Sequence, residues 1–123
     1  KMGWDMFDCV IPTREARHGR LYVFAPRGRP ARANASARTP RRAVWGSSFY
    51  KVINIKNSKF SKDFSPINPI SKIPELRNYS KAYLNYLFKI NENLAQYLAT
   101  LNNLEFYLDL FKQIRLNIKE GKF

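Results

Sequence analysis

The sequence predicts a mixed α/β fold in which short β-strands come first and helices close the chain. In the first half, short apolar segments lie between proline and glycine residues, a pattern typical of strands. In the last third, apolar residues recur at steps of three and four, which is the spacing of one face of a helix. A chain of 123 residues that is 45% hydrophobic can bury the core of one modest domain.

Three strands are predicted from the apolar segments. The first spans residues 6–11 and ends at Pro12, because proline has no backbone N–H to donate within a sheet. The second spans residues 21–24, after a glycine turn, and the third spans residues 52–55. The connection between the first two strands, residues 13–17, is predicted to be a loop.

The segment between the second and third strands has a different composition. Residues 25–46 combine proline and alanine with arginine as the only charged residue type, and they show no apolar periodicity. Nine arginines and no lysine lie between Arg14 and Arg42, whereas ten lysines and two arginines occur from Lys51 onward. We predict a disordered basic loop. It is either a genuine RNA-binding insertion or the product of a frame error or chimeric join in the gene.

Two helices are predicted at the C-terminal end, over residues 79–101 and 104–118. The short connection between them predicts an antiparallel helical hairpin. Asn102 or Asn103 is predicted to cap the second helix, and Gly121 to lie just past its end. The first apolar stripe consists of Tyr83, Leu87, Ile90, Leu94, Tyr97 and Leu101, and the second of Leu104, Tyr107, Phe111, Ile114 and Ile118.

The formal net charge of +13, with a sequence pI of about 10.2, favours a polyanionic partner. RNA, DNA and an anionic membrane surface all fit this charge. Cys9 is the only cysteine, which excludes an internal disulfide and is typical of a reducing compartment. Since the sequence has no run of about 18 apolar residues that could span a bilayer, we expect a cytoplasmic protein without a membrane partner.

Asp8 stands near the end of the first predicted strand, and Arg14 and Arg17 follow in the predicted loop. An ionised carboxylate without a strong ion-pair partner can attack an electrophilic sugar carbon. Arginine offers a planar fork that binds a phosphate or a guanine edge. The pattern therefore indicates a covalent site on RNA. From the residues alone, a turn-capping aspartate and a solvated basic turn stay open as alternatives.

A family resemblance is carried by several segments in a fixed order. Residues 3–19 read GWDMFDCVIPTREARHG, residues 53–57 read INIKN, and residues 78–84 read NYSKAYL. In order and spacing these segments resemble the tRNA-guanine transglycosylases, also called queuine tRNA-ribosyltransferases, whose active-site signature is similar to the first of them. The likeness runs to Gly121 and is interrupted only near residues 25–45.

The resemblance implies a fold larger than this chain. Enzymes of this family are TIM (β/α)8 barrels, which take roughly 250 residues, so we expect the C-terminal fragment of such a barrel. Residues 1–24 would hold a late barrel strand, the nucleophile and the loop that recognises the wobble base. Residues 25–46 would be the inserted loop, residues 47–78 a degenerate zinc-type small subdomain, and residues 79–123 the two C-terminal helices.

The resemblance also implies a reaction and its residues. Asp8 would attack C1′ of the ribose at the wobble position of tRNA, expel guanine and form a covalent aspartyl-ribosyl intermediate, which a 7-deazaguanine base resolves. The loop that reads the tRNA anticodon would comprise Thr13, Arg14, Glu15, Ala16 and Arg17. A homodimer or heterodimer is implied as well. Because the proton-handling aspartate and most of the base pocket belong to earlier strands, the chain alone is not expected to turn over.

Two other readings stay open beside the enzyme. The chain could serve as a non-catalytic, basic RNA-binding or subunit-interaction module, or it could be a decayed pseudoenzyme. One departure from the family bears on all three readings, since family members hold a structural zinc with three cysteines and a histidine. The corresponding positions here are Ser71, Ile73, Leu76 and Asn102. This set does not suit Zn²⁺, so we predict no zinc and no other cofactor, with Ile73 and Leu76 burying apolar surface instead.

Overall fold

The structure, a computed structural model, describes residues 8–24 and 49–121. This part of the chain contains four helices and a two-stranded sheet. The mixed helix and strand content agrees with the predicted class. In chain order the elements are α1 (Ile11–Arg17), β1 (Arg20–Phe24), β2 (Tyr50–Asn54), α2 (Pro74–Asn78), α3 (Lys81–Lys89) and α4 (Asn93–Lys119), with a single 3₁₀ turn at Ser58–Phe60. The predicted loop over residues 25–46 lies outside the described residues.

The strand predicted over residues 6–11 is wrong for its described part. Residues 8–10 have no regular structure, and Ile11 begins helix α1. Pro12 stands in the first turn of this helix, where its fixed φ suits the helix and its missing N–H costs nothing. The predicted loop over residues 13–17 is therefore helical. Gly19, with φ of +78°, ends the segment and turns the chain into β1.

The two described strands form an antiparallel pair close to the predicted positions. Leu21 faces Ile53 in the register, and Phe24 faces Tyr50 at the far end. Leu21 is fully buried. The ring of Tyr22 stacks on Phe106 of α4, with ring centroids 5.6 Å apart, so the sheet packs against this long helix. Both the second and third predicted strands are confirmed in type, with boundaries one or two residues away.

The C-terminal helices begin and end at different residues from those predicted. The chain leaves α3 through residues 90–92, where Asn91 takes a left-handed conformation with φ of +56°. Helix α4 then continues without a break through Asn102 and Asn103, whose side chains are buried, so the prediction that either of them caps a helix is wrong. The predicted stop is confirmed, because Gly121 follows α4 with φ of +64°.

The core lies between α3, α4 and the sheet, and its helical positions differ from the predicted stripes. Of the first predicted stripe, Leu87 alone is buried, while Tyr83, Ile90 and Tyr97 are exposed. In both helices a face next to the predicted stripe is buried instead. The core cluster comprises Ala16, Leu21, Ile55, Ile67, Leu76, Leu84, Leu87, Phe88, Ala95, Leu98 and Ala99. Among the described helices, none is long and apolar enough to cross a membrane.

Candidate active site

Asp8 lies in the irregular segment directly before α1, and its residue is exposed to solvent. In the described ranges 8–24 and 49–121, no ion pair involves its carboxylate, although five pairs occur elsewhere. An accessible carboxylate that no cation neutralises retains its full nucleophilic character. The position of Asp8 therefore meets the chemical demand that a covalent role would place on it.

Arg14 and Arg17 project from α1, three residues apart, and both are exposed. The Nε atom of Arg14 lies 3.6 Å from a carboxylate oxygen of Glu15, and more than half of the Arg14 side chain remains accessible. Arg17 has no ion pair within the described part of the chain. Thr13 is committed to the helix itself, because its hydroxyl donates to the carbonyl oxygen of Val10 at 3.1 Å. The two guanidinium groups are thus available to an anionic ligand.

Two other members of the predicted recognition loop have structural roles. Glu15 accepts a 2.6 Å hydrogen bond from Arg20, and this bond, with the charge of Arg20 beside it, holds the pKa of the Glu15 carboxyl below its ordinary value. Ala16 is fully buried in the core. Its methyl group packs inside the protein because a helix must bury one face, and the predicted RNA contact of this residue stays a prediction.

Helix α1 is held in place by its buried face and by the turn that follows it. Pro12 and Ala16 are its buried residues, and they pack towards α4. After the helix, the carbonyl oxygen of Gly19 accepts from the N–H of Ile55 at 2.8 Å. Gly19 suits this turn because of its positive φ, and a Cβ atom there would also lie 3.0 Å from the Cγ atom of Lys56, so that the lysine side chain would have to shift.

Tyr22, Tyr107 and Phe106 form an aromatic contact between β1 and α4. Tyr107 meets the ring of Tyr22 edge to face, with centroids 5.6 Å apart. Burial raises the pKa of Tyr107 to about 12, and it raises the pKa of Tyr22 as well. Both phenols therefore stay neutral at physiological pH.

The residues at the family's zinc positions come together in the structure. Asn68 joins two of them, because its N–H donates to the carbonyl oxygen of Leu76 (2.9 Å) and its Nδ2 lies 3.4 Å from Oδ1 of Asn102. The hydroxyl of Ser71 accepts from the N–H of Ile73 at 3.0 Å. These hydrogen bonds bring together the four positions that the resemblance aligns with zinc ligands.

The chemistry of these four residues does not fit a zinc ion. Leu76 is fully buried as an apolar core residue, and Ile73 packs against the same core. The hydroxyl of Ser71 donates to Glu105 at 2.5 Å, and Nδ2 of Asn102 donates to the carbonyl oxygen of Tyr22 at 3.0 Å. Within the described residues, no cluster of three His, Cys, Asp or Glu side chains is placed to hold a metal. Zinc prefers thiolate and imidazole ligands, and neither is present at these positions.

We expect the purified protein to contain far less than one zinc per chain. Its thermal unfolding midpoint should not change on dialysis against a chelator, because hydrogen bonds and apolar packing hold together the segments that a metal would otherwise join. Elemental analysis and differential scanning calorimetry measure the two quantities. Stoichiometric zinc, or a chelator-induced fall in the midpoint, would show that other residues supply ligands.

Two polar side chains that organise this region, the buried Asn103 and the partly buried Glu105, were not predicted from the sequence. Asn103 bonds to the backbone of both α1 and β1, and Glu105 accepts from Ser71 and from the N–H of Lys72 at 2.7 Å. The available signal was the pair of adjacent asparagines within an otherwise apolar helical pattern. Asparagine is a poor residue for a helix interior, so buried tertiary hydrogen bonds were the alternative to a helix end.

Comparison with known proteins identifies the family of the chain. The family model described as queuine tRNA-ribosyltransferase matches residues 1–123. The chain is 38% identical over 121 residues to the queuine tRNA-ribosyltransferase of Caulobacter vibrioides, an alignment that covers 98% of this chain and 26% of that relative. The queuine tRNA-ribosyltransferase of Aquifex aeolicus is also 38% identical over 121 residues, with 98% of this chain and 25% of that relative covered.

A third relative gives the same picture. The queuine tRNA-ribosyltransferase of Brucella melitensis is 39% identical over 121 residues, which is 98% of this chain and 26% of the relative. The chain thus spans about a quarter of the length of the curated relatives that it matches. With its full length matched by the family model, the chain belongs to the queuine tRNA-ribosyltransferase family.

Proposed function

We propose that this chain supplies the nucleophile and part of the tRNA-reading surface of a tRNA-guanine transglycosylase. The enzyme exchanges the guanine at the wobble position of tRNA for a 7-deazaguanine base. The observation that carries the proposal is the placement of Asp8, exposed and without an ion pair among the described residues, directly before the helix that bears Arg14 and Arg17. Membership of the family, whose relatives are named for this reaction, supports the same conclusion.

The proposed reaction has two displacements at one carbon. A carboxylate oxygen of Asp8 attacks C1′ of the ribose, the bond from C1′ to the guanine nitrogen breaks, and guanine leaves with the bonding electrons and takes up a proton. The incoming 7-deazaguanine base then attacks C1′, loses its own proton and releases the carboxylate. Each transition state develops positive charge on the sugar, which a nearby unpaired carboxylate stabilises.

Arg14 and Arg17 hold the anticodon nucleotides in this proposal. Each guanidinium offers parallel N–H donors to a phosphate or to the edge of a guanine base. Their spacing of three residues on α1 places both on neighbouring parts of the same helix surface. The formal charge of +13 adds a general attraction to polyanions, which accelerates encounter with tRNA but does not select a sequence.

The remaining parts of the reaction belong to the rest of such an enzyme. We propose that the chain corresponds to the C-terminal part of a TIM barrel, in which residues 47–78 form a zinc-less small subdomain and residues 79–123 the closing helical hairpin. The second proton-handling group and most of the base pocket then lie on earlier strands. Turnover therefore requires the whole protein, in the compartment that holds tRNA.

Covalent trapping tests this proposal. The whole protein that contains this chain is incubated with tRNA and a 7-deazaguanine analogue, and the mixture is separated under denaturing conditions. We expect a protein band that carries tRNA and survives denaturation, because an aspartyl-ribosyl bond is covalent. Absence of any such adduct, with tRNA binding intact, would reject the enzymatic proposal.

That outcome would instead favour a non-catalytic RNA-binding module, for which the net charge is the supporting observation. Such a module binds tRNA with an affinity that falls steeply as salt rises. Its affinity would not depend on the 7-deazaguanine analogue. A titration with and without the analogue, at two salt concentrations, therefore separates the two functions.

A further inference from the structure

Asn103 is fully buried in the middle of α4, and its carboxamide uses all four of its hydrogen-bonding positions. Its Nδ2 donates to the carbonyl oxygens of Pro12 (3.0 Å) and Arg20 (2.9 Å). Its Oδ1 accepts from the N–H of Tyr22 (3.0 Å) and from Nδ2 of Asn102 (3.2 Å). The role of Asn103 therefore depends on which backbone segments its side chain joins.

The two carbonyl groups that Asn103 holds stand at the two ends of one segment. Pro12 is in the first turn of α1, and Arg20 is the first residue of β1. The NH₂ group of Asn103 thus hydrogen-bonds to the backbone just before and just after residues 13–19. Arg14 and Arg17 project from this span. Because the side chains of a helix leave its backbone in fixed directions, holding both ends of this segment sets where Arg14 and Arg17 start from α1.

The oxygen of the same carboxamide holds the neighbouring strand. It accepts from Tyr22, while Nδ2 donates to Arg20, so the side chain pairs with residues i and i+2 of β1 as the backbone of an adjacent strand would. Asn102 extends the contact by donating to the carbonyl oxygen of Tyr22 at 3.0 Å. The edge of β1 is thereby satisfied by α4, and α1 and β1 are fixed to one point on this helix.

We propose that Asn103 is a positioning residue of the candidate active site. From α4 it sets the place of α1, and through α1 the place of Arg14 and Arg17 relative to Asp8. It touches neither RNA nor the reacting atoms. The tRNA measurements below rest on the proposed function, whereas the hydrogen-exchange measurement does not.

The Asn103→Asp variant tests this assignment with little change in volume. A carboxylate retains the acceptors for Tyr22 and Asn102, but it has no N–H for the carbonyl oxygens of Pro12 and Arg20. We expect the affinity of the whole protein for tRNA at pH 7.5 to fall about tenfold or more, because small displacements of ligand-holding groups have large effects. Binding is measured well below the unfolding transition.

Asn85→Asp is the matched control. Asn85 is equally buried, and its Nδ2 also donates to two backbone carbonyls, those of Ile55 (2.7 Å) and Asn57 (3.1 Å). The same chemical change is therefore made at a site that does not hold α1. We expect this variant to lose stability to a similar degree but to bind tRNA within about twofold of the parent.

The pH profile gives a readout that loss of stability alone would not produce. Burial raises the pKa of a carboxyl group that has no cationic partner. On going from pH 7.5 to pH 5.5 a larger fraction of the introduced carboxyl of Asn103→Asp is protonated, and its O–H can then donate to one of the two carbonyls. The affinity deficit relative to the parent should shrink to about threefold or less as one hydrogen bond returns. An unchanged deficit between the two pH values would contradict the positioning role.

Hydrogen exchange provides the readout that needs no RNA. Amides of residues 14–20 should exchange about tenfold faster in Asn103→Asp than in the parent, while those of α3 keep their protection. If the two aspartate variants lose the same tRNA affinity, or if exchange over residues 14–20 is unchanged, the proposal is overturned. If the parent binds no tRNA, the proposed function fails and exchange alone decides the role of Asn103. Asn103→Ser, which keeps one donor, replaces the aspartate variant in the exchange measurement if the latter does not fold.

Discussion

The Asp8→Asn variant is expected to form no covalent adduct with tRNA. An amide is a far weaker nucleophile than a carboxylate, and loss of a covalent nucleophile lowers the rate by roughly 10⁴- to 10⁶-fold. The substitution is nearly isosteric at an exposed position outside any helix or strand, so the fold should be unaffected. The measurement is the fraction of tRNA retained on the protein after denaturing electrophoresis.

Asp109→Asn is the control for the loss of one negative charge. Asp109 lies on the surface of α4, where its carboxylate pairs with Lys72 at 3.4 Å and with Lys112 at 3.6 Å. Surface pairs of this kind contribute little to stability, so this variant should form the adduct at the parental level. An adduct that persists in Asp8→Asn would transfer the nucleophilic role to another residue.

The Leu76→Ala variant is expected to lower the free energy of unfolding by about 2–5 kcal/mol. Leu76 lies on α2 and is fully buried in the hydrophobic core. Removing its side chain deletes apolar contacts and leaves a cavity. Urea unfolding followed by circular dichroism measures the change.

Ile70→Ala is the control, since Ile70 lies in the segment that leads into α2 and has 77% of its surface exposed. An exposed aliphatic residue contributes little, so we expect a change within about 0.5 kcal/mol. A small effect of Leu76→Ala would mean that this segment does not depend on burial of residue 76 and that its stability arises elsewhere.

Local patterns sufficed for the sheet and for the end of the last helix. The segments that became β1 and β2 have the length and composition of strands, and Gly121 has the conformation that a helix terminus favours. Helix α1 was missed because seven residues are too few to show a period, and because Pro12 ends a strand as readily as it begins a helix.

The helical boundary was misplaced for a tertiary reason. Ile90 and Leu94 continue the apolar spacing across the break at Asn91, so periodicity alone gives one long helix. Asn102 and Asn103 then resemble a helix boundary. Their side-chain amides instead donate hydrogen bonds to the backbone of β1 and α1, some 80 to 90 residues away in sequence. Local sequence patterns cannot predict these hydrogen bonds, because only folding brings α1 and β1 close to the two asparagines.

The candidate site was found by resemblance rather than by pattern. Asp8, Arg14 and Arg17 form only a suggestive pattern on their own, and the order of the family segments made the assignment specific. Even then, the resemblance assigned Ala16 to RNA contact, whereas the packing of α1 on α4 buries it. Which face of a short helix is exposed depends on its neighbours and not on its own seven residues.

Phe24 pairs with Tyr50 at the open end of the sheet, and this pairing affects how long the connection between the two strands can be. The chain departs from the hairpin and returns to it at the same place, so whatever joins these two residues begins and ends within one strand spacing. For any flexible loop, each doubling of its length adds only about 0.6 kcal/mol to the entropic free-energy cost of bringing its two ends together. An arginine-rich stretch could therefore be gained, lost or resized there over generations with hardly any penalty to folding.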